Sequence, residues 1–206
     1  MSSPAPASGE VSLATRLFYG VGSVAYGVKD NGFSFFLLFY YNQVLGLPEA
    51  WVGAGIFAAL MVDAFSDPLV GYVSDNWHSR WGRRHPFMYF AAVPAGLSFY
   101  FLFNPPAGLS DANLFAYFVT LAVVVRSFIT LYEIPSTSLV AELSDDYDTR
   151  TSMLSYRYFF GWWGGLSMAV LAFGFFLTPS AAYPDGQLDP SGYGGYGLTA
   201  GLLMTA

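Results

Sequence analysis

Seven ionisable residues interrupt otherwise apolar stretches of this chain: Lys29, Asp30, Asp63, Asp67, Arg126, Glu133 and Arg157. A charge in a bilayer interior costs several kcal/mol unless it is paired or faces a polar cavity, so the set points to a water-accessible pathway. Internal ion pairs that fix helix packing are the plainer reading. Four acids stand against three bases, a surplus that a transported cation or proton would neutralise. Asp63 and Asp67 are four residues apart, which places both carboxylates on one helical face about one turn apart, where like charges repel. A Na+ ion held by both, with help from the hydroxyls of Ser66 or Thr130, relieves that repulsion, and so does a shared proton. Asp67 also precedes Pro68, where a carboxylate can simply satisfy backbone donors at a kink.

Glu133 stands two residues before Pro135, so backbone groups freed by the proline lie near an acid. Counting about 1.5 Å per residue from the ends of their helices puts Glu133 and Arg157 within about two turns in depth. They are expected either to form a permanent pair or to hold a polar solute between them. Arg126 lies on a similar face to Glu133 and belongs to the cavity wall or to a structural pair.

Helices long enough to cross a membrane must position these residues. Of the 206 residues, 54% are hydrophobic and only 11% charged, against roughly 25% charged in a soluble domain. Five apolar stretches approach the roughly 20 residues a membrane span needs: 17–45, 51–73, 86–103, 114–140 and 153–177. A turn-rich loop then leads to YGLTAGLLMTA, read as the start of a sixth helix in which the chain stops. The fold expected is all-α and polytopic. Residues 1–15 are Ser/Pro/Ala-rich and read as a disordered tail. Arg16, Arg80, Arg83, Arg84 and Arg150 all fall before the first stretch or in alternate loops, so the amino terminus is expected on the cytoplasmic side of the inner or plasma membrane. The net charge of −6 argues against a nucleic-acid partner, and the absence of cysteine excludes thiolate metal sites and thiol nucleophiles.

Four motifs carry a family resemblance: YGVGSVAYGVKDNG (19–32), VDAFSDPLVGYVSDNWHSRWGRRHPF (62–87), YEIPSTSLVAEL (132–143) and SYRYFF (155–160). In order and spacing the chain resembles the amino-terminal half of the glycoside-pentoside-hexuronide:cation symporters, the melibiose-permease-like branch of the major facilitator superfamily. The resemblance implies a major-facilitator-type bundle at 16–206, with the carboxy-terminal bundle absent, and alternating access in a membrane-embedded carrier of a sugar or similar polar solute. It implies Asp63 and Asp67 as ligands of the coupling ion, Na+ or H+, with Ser66 and Thr130 as helpers, and no further cofactor. Lys29, Asp30, Glu133 and Arg157 fall at sugar-contacting positions, and Arg126 is grouped with them as cavity wall. Gly71, Asp75, Arg80, Gly82, Arg83 and Arg84 resemble the cytoplasmic gating motif, although plain positive-inside topology also accounts for the arginines. Galactoside-transporting members carry Asp where Glu133 stands and a sugar-stacking Trp where Thr137 stands, so the resemblance does not imply a galactoside. A related branch carries lysophospholipids with Na+.

Two readings of other classes remain. Paired aspartates in membrane helices can hold Mg2+ against a pyrophosphate in prenyl or phosphatidyl transferases, which makes an enzyme the second hypothesis. An assembly module is the third, because the Gly-rich fifth stretch suits close packing against another helix. The acidic run Glu142, Asp145, Asp146 and Asp148 beside Arg150 is expected to be a solvated loop, with a role in the gate as the alternative.

Overall fold

The computed structural model describes residues 11–206, so most of the expected tail lies outside the described residues. Every regular element among the described residues is helical. The Ser12 hydroxyl accepts from the Thr15 amide at 3.2 Å and caps α1 (Leu13–Val21). The first helix thus begins inside the stretch expected to be disordered, because a cap acceptor sets its start. After a break at Gly22 and Ser23, α2 (Val24–Asn31) continues through two π-helical segments, Gly32–Leu37 and Tyr40–Val44. The first apolar stretch is therefore a bent, locally underwound rod.

The chain then forms α3 (Glu49–Asn76), α4 (His85–Leu102), α5 (Asp111–Ser138) and the short α6 (Val140–Leu143). It ends with α7 (Tyr147–Leu171), which runs into a π turn at Ala172–Phe176, and α8 (Pro190–Thr205). Three helical stretches, Glu49–Asn76, Asp111–Leu143 and Tyr147–Phe176, are individually long and apolar enough to cross a membrane. The two other stretches read as full spans are the broken α1–α2 rod and the 18-residue α4, which contains Pro94. Side-chain acceptors again fix the starts of α5 and α7: Ser110 takes the Asn113 amide, and Asp146 takes the Thr149 amide at 2.7 Å.

α5 packs between α3 and α4, α4 against α8, and α7 against α1 and α2. The α2–α7 crossing is held at backbone contact. A Cβ added to Gly27 would sit 1.8 Å from the Gly161 carbonyl oxygen, and one on Gly165 2.7 Å from that of Gly27. The Gly-rich face expected to suit another helix is thus consumed within the chain, by α2. Tyr41, Phe99, Phe103, Phe118, Tyr193 and Tyr196 fill the core beneath α2, α4, α5 and α8, and the Tyr41 hydroxyl donates to the Leu102 carbonyl at 2.8 Å. Large apolar side chains stay exposed along α3 (Phe65, Leu69) and α7 (Trp162, Val170), as befits a multi-pass integral membrane protein.

Candidate functional site

α3 and α5 run in the same chain direction and meet in two rungs. Asp63 faces Arg126 and Asp67 faces Thr130, so each carboxylate meets the residue 63 positions later. Arg126 Nε donates to Asp63 Oδ2 at 2.6 Å, and Nη2 converges on the same oxygen. Asp63 Oδ1 is buried without a hydrogen-bond partner. Thr130 Oγ1 donates to Asp67 Oδ1 at 2.9 Å. The Ser66 hydroxyl turns to its own helix and donates to the Asp63 carbonyl at 3.4 Å, so of the two expected helpers only Thr130 reaches a carboxylate. Among the described residues no three His, Cys, Asp or Glu side chains gather as metal ligands. A hard cation here would draw on the two aspartates, the Thr130 hydroxyl and backbone or water oxygens.

A second centre lies further along α5, on a similar face of the helix. A cavity of about 880 Å³ opens between α2, α5 and α7, with Asp30, Glu133 and Arg157 in its wall and with Phe35, Trp162 and Phe173 among its apolar lining. Arg157 is 4% exposed. It donates from Nη2 to Glu133 Oε1 and from Nη1 to the Ser136 hydroxyl, both at 2.7 Å. Its guanidinium also lies 5.0 Å from the centre of the Tyr19 ring, and its backbone carbonyl accepts from the Ser23 hydroxyl at 2.5 Å. Glu133 Oε1 takes a further bond from Thr137 Oγ1 at 3.1 Å, while Oε2 is buried and unpartnered. The two residues are therefore directly paired here, with no room between them.

Lys29 and Arg126, both expected among the solute contacts, do not line this cavity. Lys29 is buried, with its ammonium 4.5 Å over the Tyr26 ring and 3.9 Å from Asp30, whose side chain is exposed. Consecutive helical residues project about 100° apart, which turns Asp30 to the cavity and Lys29 inward. Arg126 belongs to the aspartate rungs instead.

At the end of the bundle where α3 gives way to α4, Arg84 is held by Asp75 Oδ1 at 2.7 Å and Glu142 Oε1 at 3.4 Å, and donates to the Ser138 carbonyl. Arg83 reaches Glu142 Oε1 at 2.8 Å. Glu142, expected in a solvated loop, is thus a partner of both arginines: α6 carries it back over the α3–α4 connection. Arg150 bonds the Ser144 and Ala141 carbonyls and Asp145, and Arg16 donates to Ser152. Gly82 has φ +89°, a left-handed conformation that lets the Arg80–Arg84 loop turn. Gly71 lies where α3 nears Ile134 of α5. Arg80 rests on the exposed Trp81 ring and takes no part in the ion pairs.

Residues 18–206 match the family described as MFS/sugar transport protein. The chain belongs to that family. It is 31% identical over 181 residues to an uncharacterized symporter of Synechocystis sp., covering 85% of this chain and 32% of the relative. It is 28% identical over 184 residues to the isoprimeverose transporter of Lactiplantibacillus pentosus, covering 89% of this chain and 37% of the relative. It is 28% identical over 153 residues to the sodium-dependent lysophosphatidylcholine symporter 1 of Mus musculus, covering 72% of this chain and 28% of the relative. The chain thus spans about a third of the length of the curated relatives it matches. The family is one of transport proteins, which sets aside the transferase reading of Asp63 and Asp67.

Sequence reasoning missed Ser136, Ser23 and Tyr19 around Arg157. Ser136 follows Glu133 by three residues, so its place on the same face was open to a helical-wheel reading. Tyr19 and Ser23 flank the break between α1 and α2, which hydropathy does not reveal.

Proposed function

We propose that the full-length protein is a cation-coupled secondary transporter that carries a sugar or similar small polar solute by alternating access. The observation that supports this best is the sharing of α5 by two polar centres. Thr130, in the aspartate rungs, and Glu133, in the cavity wall, are three residues apart, about 4.5 Å of helical rise. Occupancy of one centre changes the free energy of binding at the other. In this reading Asp63, Asp67 and Thr130 take the coupling cation, Asp30, Glu133 and Arg157 take the solute, and Arg83 and Arg84 with Asp75 and Glu142 latch one end. Reading that end as cytoplasmic is supported by the attachment of Arg16, Arg83, Arg84 and Arg150 there.

A lysophospholipid-type cargo is the second reading. It is favoured by the apolar run Trp162, Leu166 and Phe173 along the cavity wall, which suits an acyl chain, and by the named activity of the mouse relative. Counterflow in proteoliposomes with a panel of glycosides and lysophospholipids, each with Na+, Li+ or protons alone, distinguishes the two. Uptake that is indifferent to neutralising both Asp63 and Asp67 would sink the coupling assignment.

A further inference from the structure

The aspartate rungs hold a feature that the coupling reading does not use: a positive charge already sits where a cation would bind. Both Nε and Nη2 of Arg126 converge on Asp63 Oδ2, leaving the buried Oδ1 without a partner. The side chains of the pair are only 13% and 16% exposed, so solvent screens this contact poorly. The guanidinium also lies 5.4 Å from the centre of the Phe33 ring, a face it can keep if the carboxylate is taken from it.

We propose that Arg126 is the resident counter-cation of the aspartate pair and restricts that site to one monovalent cation; the inference rests on the coupling reading above. With Arg126 beside them, Asp63 and Asp67 carry a net charge of −1, which one monovalent ion neutralises. Lys29 is a further buried base and is offset by Asp30, 3.9 Å away. Without Arg126 the pair carries −2, and two carboxylates with the Thr130 hydroxyl are the hard oxygen donors that divalent cations prefer. Arg126 is also a tethered competitor. A short tether gives it an effective concentration of about millimolar or more, and the incoming ion binds only the fraction of molecules in which Asp63 is released.

The test is uptake by the full-length protein in proteoliposomes, with Na+ or Li+ titrated in the presence and absence of Ca2+. Arg126→Gln is expected to lower the half-saturating Na+ concentration about ten-fold, as follows if Asp63 is free in about one molecule in ten. It should also make Na+-driven uptake sensitive to millimolar Ca2+, to which the wild type is indifferent. Unchanged half-saturation and continued indifference to Ca2+ in a monodisperse Arg126→Gln protein overturn the proposal. If that variant does not fold, Arg126→Lys decides. It keeps the charge but loses the forked contact, so several-fold tighter Na+ with Ca2+ still excluded is expected, and wild-type half-saturation is the overturning result. A wild type whose uptake ignores Na+, Li+ and protons alike instead removes the coupling reading itself, and one driven by protons alone keeps that reading and overturns this proposal.

Discussion

Thr130 Oγ1 donates a hydrogen bond to Asp67 Oδ1 at 2.9 Å, one helical turn along α5 from the 2.6 Å contact of Arg126 with Asp63. Asp67 therefore has a neutral donor while Asp63 has a charged one, and only Asp67 meets an incoming cation without first losing an ion-pair partner. Asp67→Asn is expected to abolish cation-dependent uptake. Thr130→Val should raise the half-saturating cation concentration several-fold while Thr130→Ser stays near wild type. Cation titration of uptake checks both.

Removing Glu133 leaves Arg157 buried beside neutral partners, since Ser136 and Tyr19 supply no countercharge. Breaking a buried pair from one side costs about 3–5 kcal/mol, and Glu133 is itself 23% exposed at its side chain, which favours the lower end. Glu133→Gln should lower the melting temperature and weaken solute binding together. The double variant Glu133→Gln/Arg157→Gln should recover part of the stability but none of the binding, as read by thermal unfolding with and without solute.

The ion-pair cluster at the α3–α4 connection is unequal in its members. Arg84 is 10% exposed at its side chain and touches two acids, while Arg83 is half exposed and touches one. Exposed pairs contribute about 0–1 kcal/mol, so Arg83→Gln should change little. Arg84→Gln should shift the protein toward the state open at that end. In a full-length protein rendered free of other cysteines, a single Cys introduced in the cavity wall reports the change as a faster rate of thiol labelling from that side.

Two glycines make opposite forecasts. Gly27→Ala drives a methyl into the Gly161 carbonyl, a backbone group that cannot turn aside, and should prevent folded accumulation in the membrane. Gly53→Ala, on α3 with nothing within 4 Å of the added Cβ, should be neutral or gain up to about 1 kcal/mol from helix propensity. Detergent-solubilised yield and melting temperature separate the two.

Asp146 gives a pH-dependent test. The bonds from the Thr149 backbone and hydroxyl hold its carboxyl below the usual aspartate value of 3.8. A depressed folded-state pKa contributes stability above the unfolded value and loses it as pH falls through the folded one. Asp146→Ala should therefore lower the melting temperature at neutral pH, with the difference from wild type shrinking below about pH 4.

The polytopic helical fold and both polar centres were legible in the sequence because each rests on local spacing. Asp63 with Asp67 is a one-turn repeat, and Glu133 announces itself beside Pro135. Partner choice was legible only in part: matched depth points Glu133 to Arg157 and Thr130 stands among the expected helpers of the aspartates, but the remaining partners depend on helix rotation and register. Arg126 falls on Asp63 rather than into the cavity through the common register of α3 and α5. Lys29 turns away from the solute side because only one of two adjacent residues on α2 can face it. Glu142 joins the arginines because α6 folds back over a loop, a tertiary event with no periodic signature. Helix starts shifted from the hydropathy boundaries because Ser12, Ser110 and Asp146 set them chemically.

Within the thirteen residues from Arg126 to Ser138, about 18 Å of axial rise, α5 touches the aspartate rungs, the cavity and, through the Ser138 carbonyl, Arg84. Arg126, Thr130 and Glu133 project within about 60° of one another around the helix, so a turn of α5 about its long axis would strain the bonds of both polar centres together. One movement of α5 would thereby couple sites that no single side chain links.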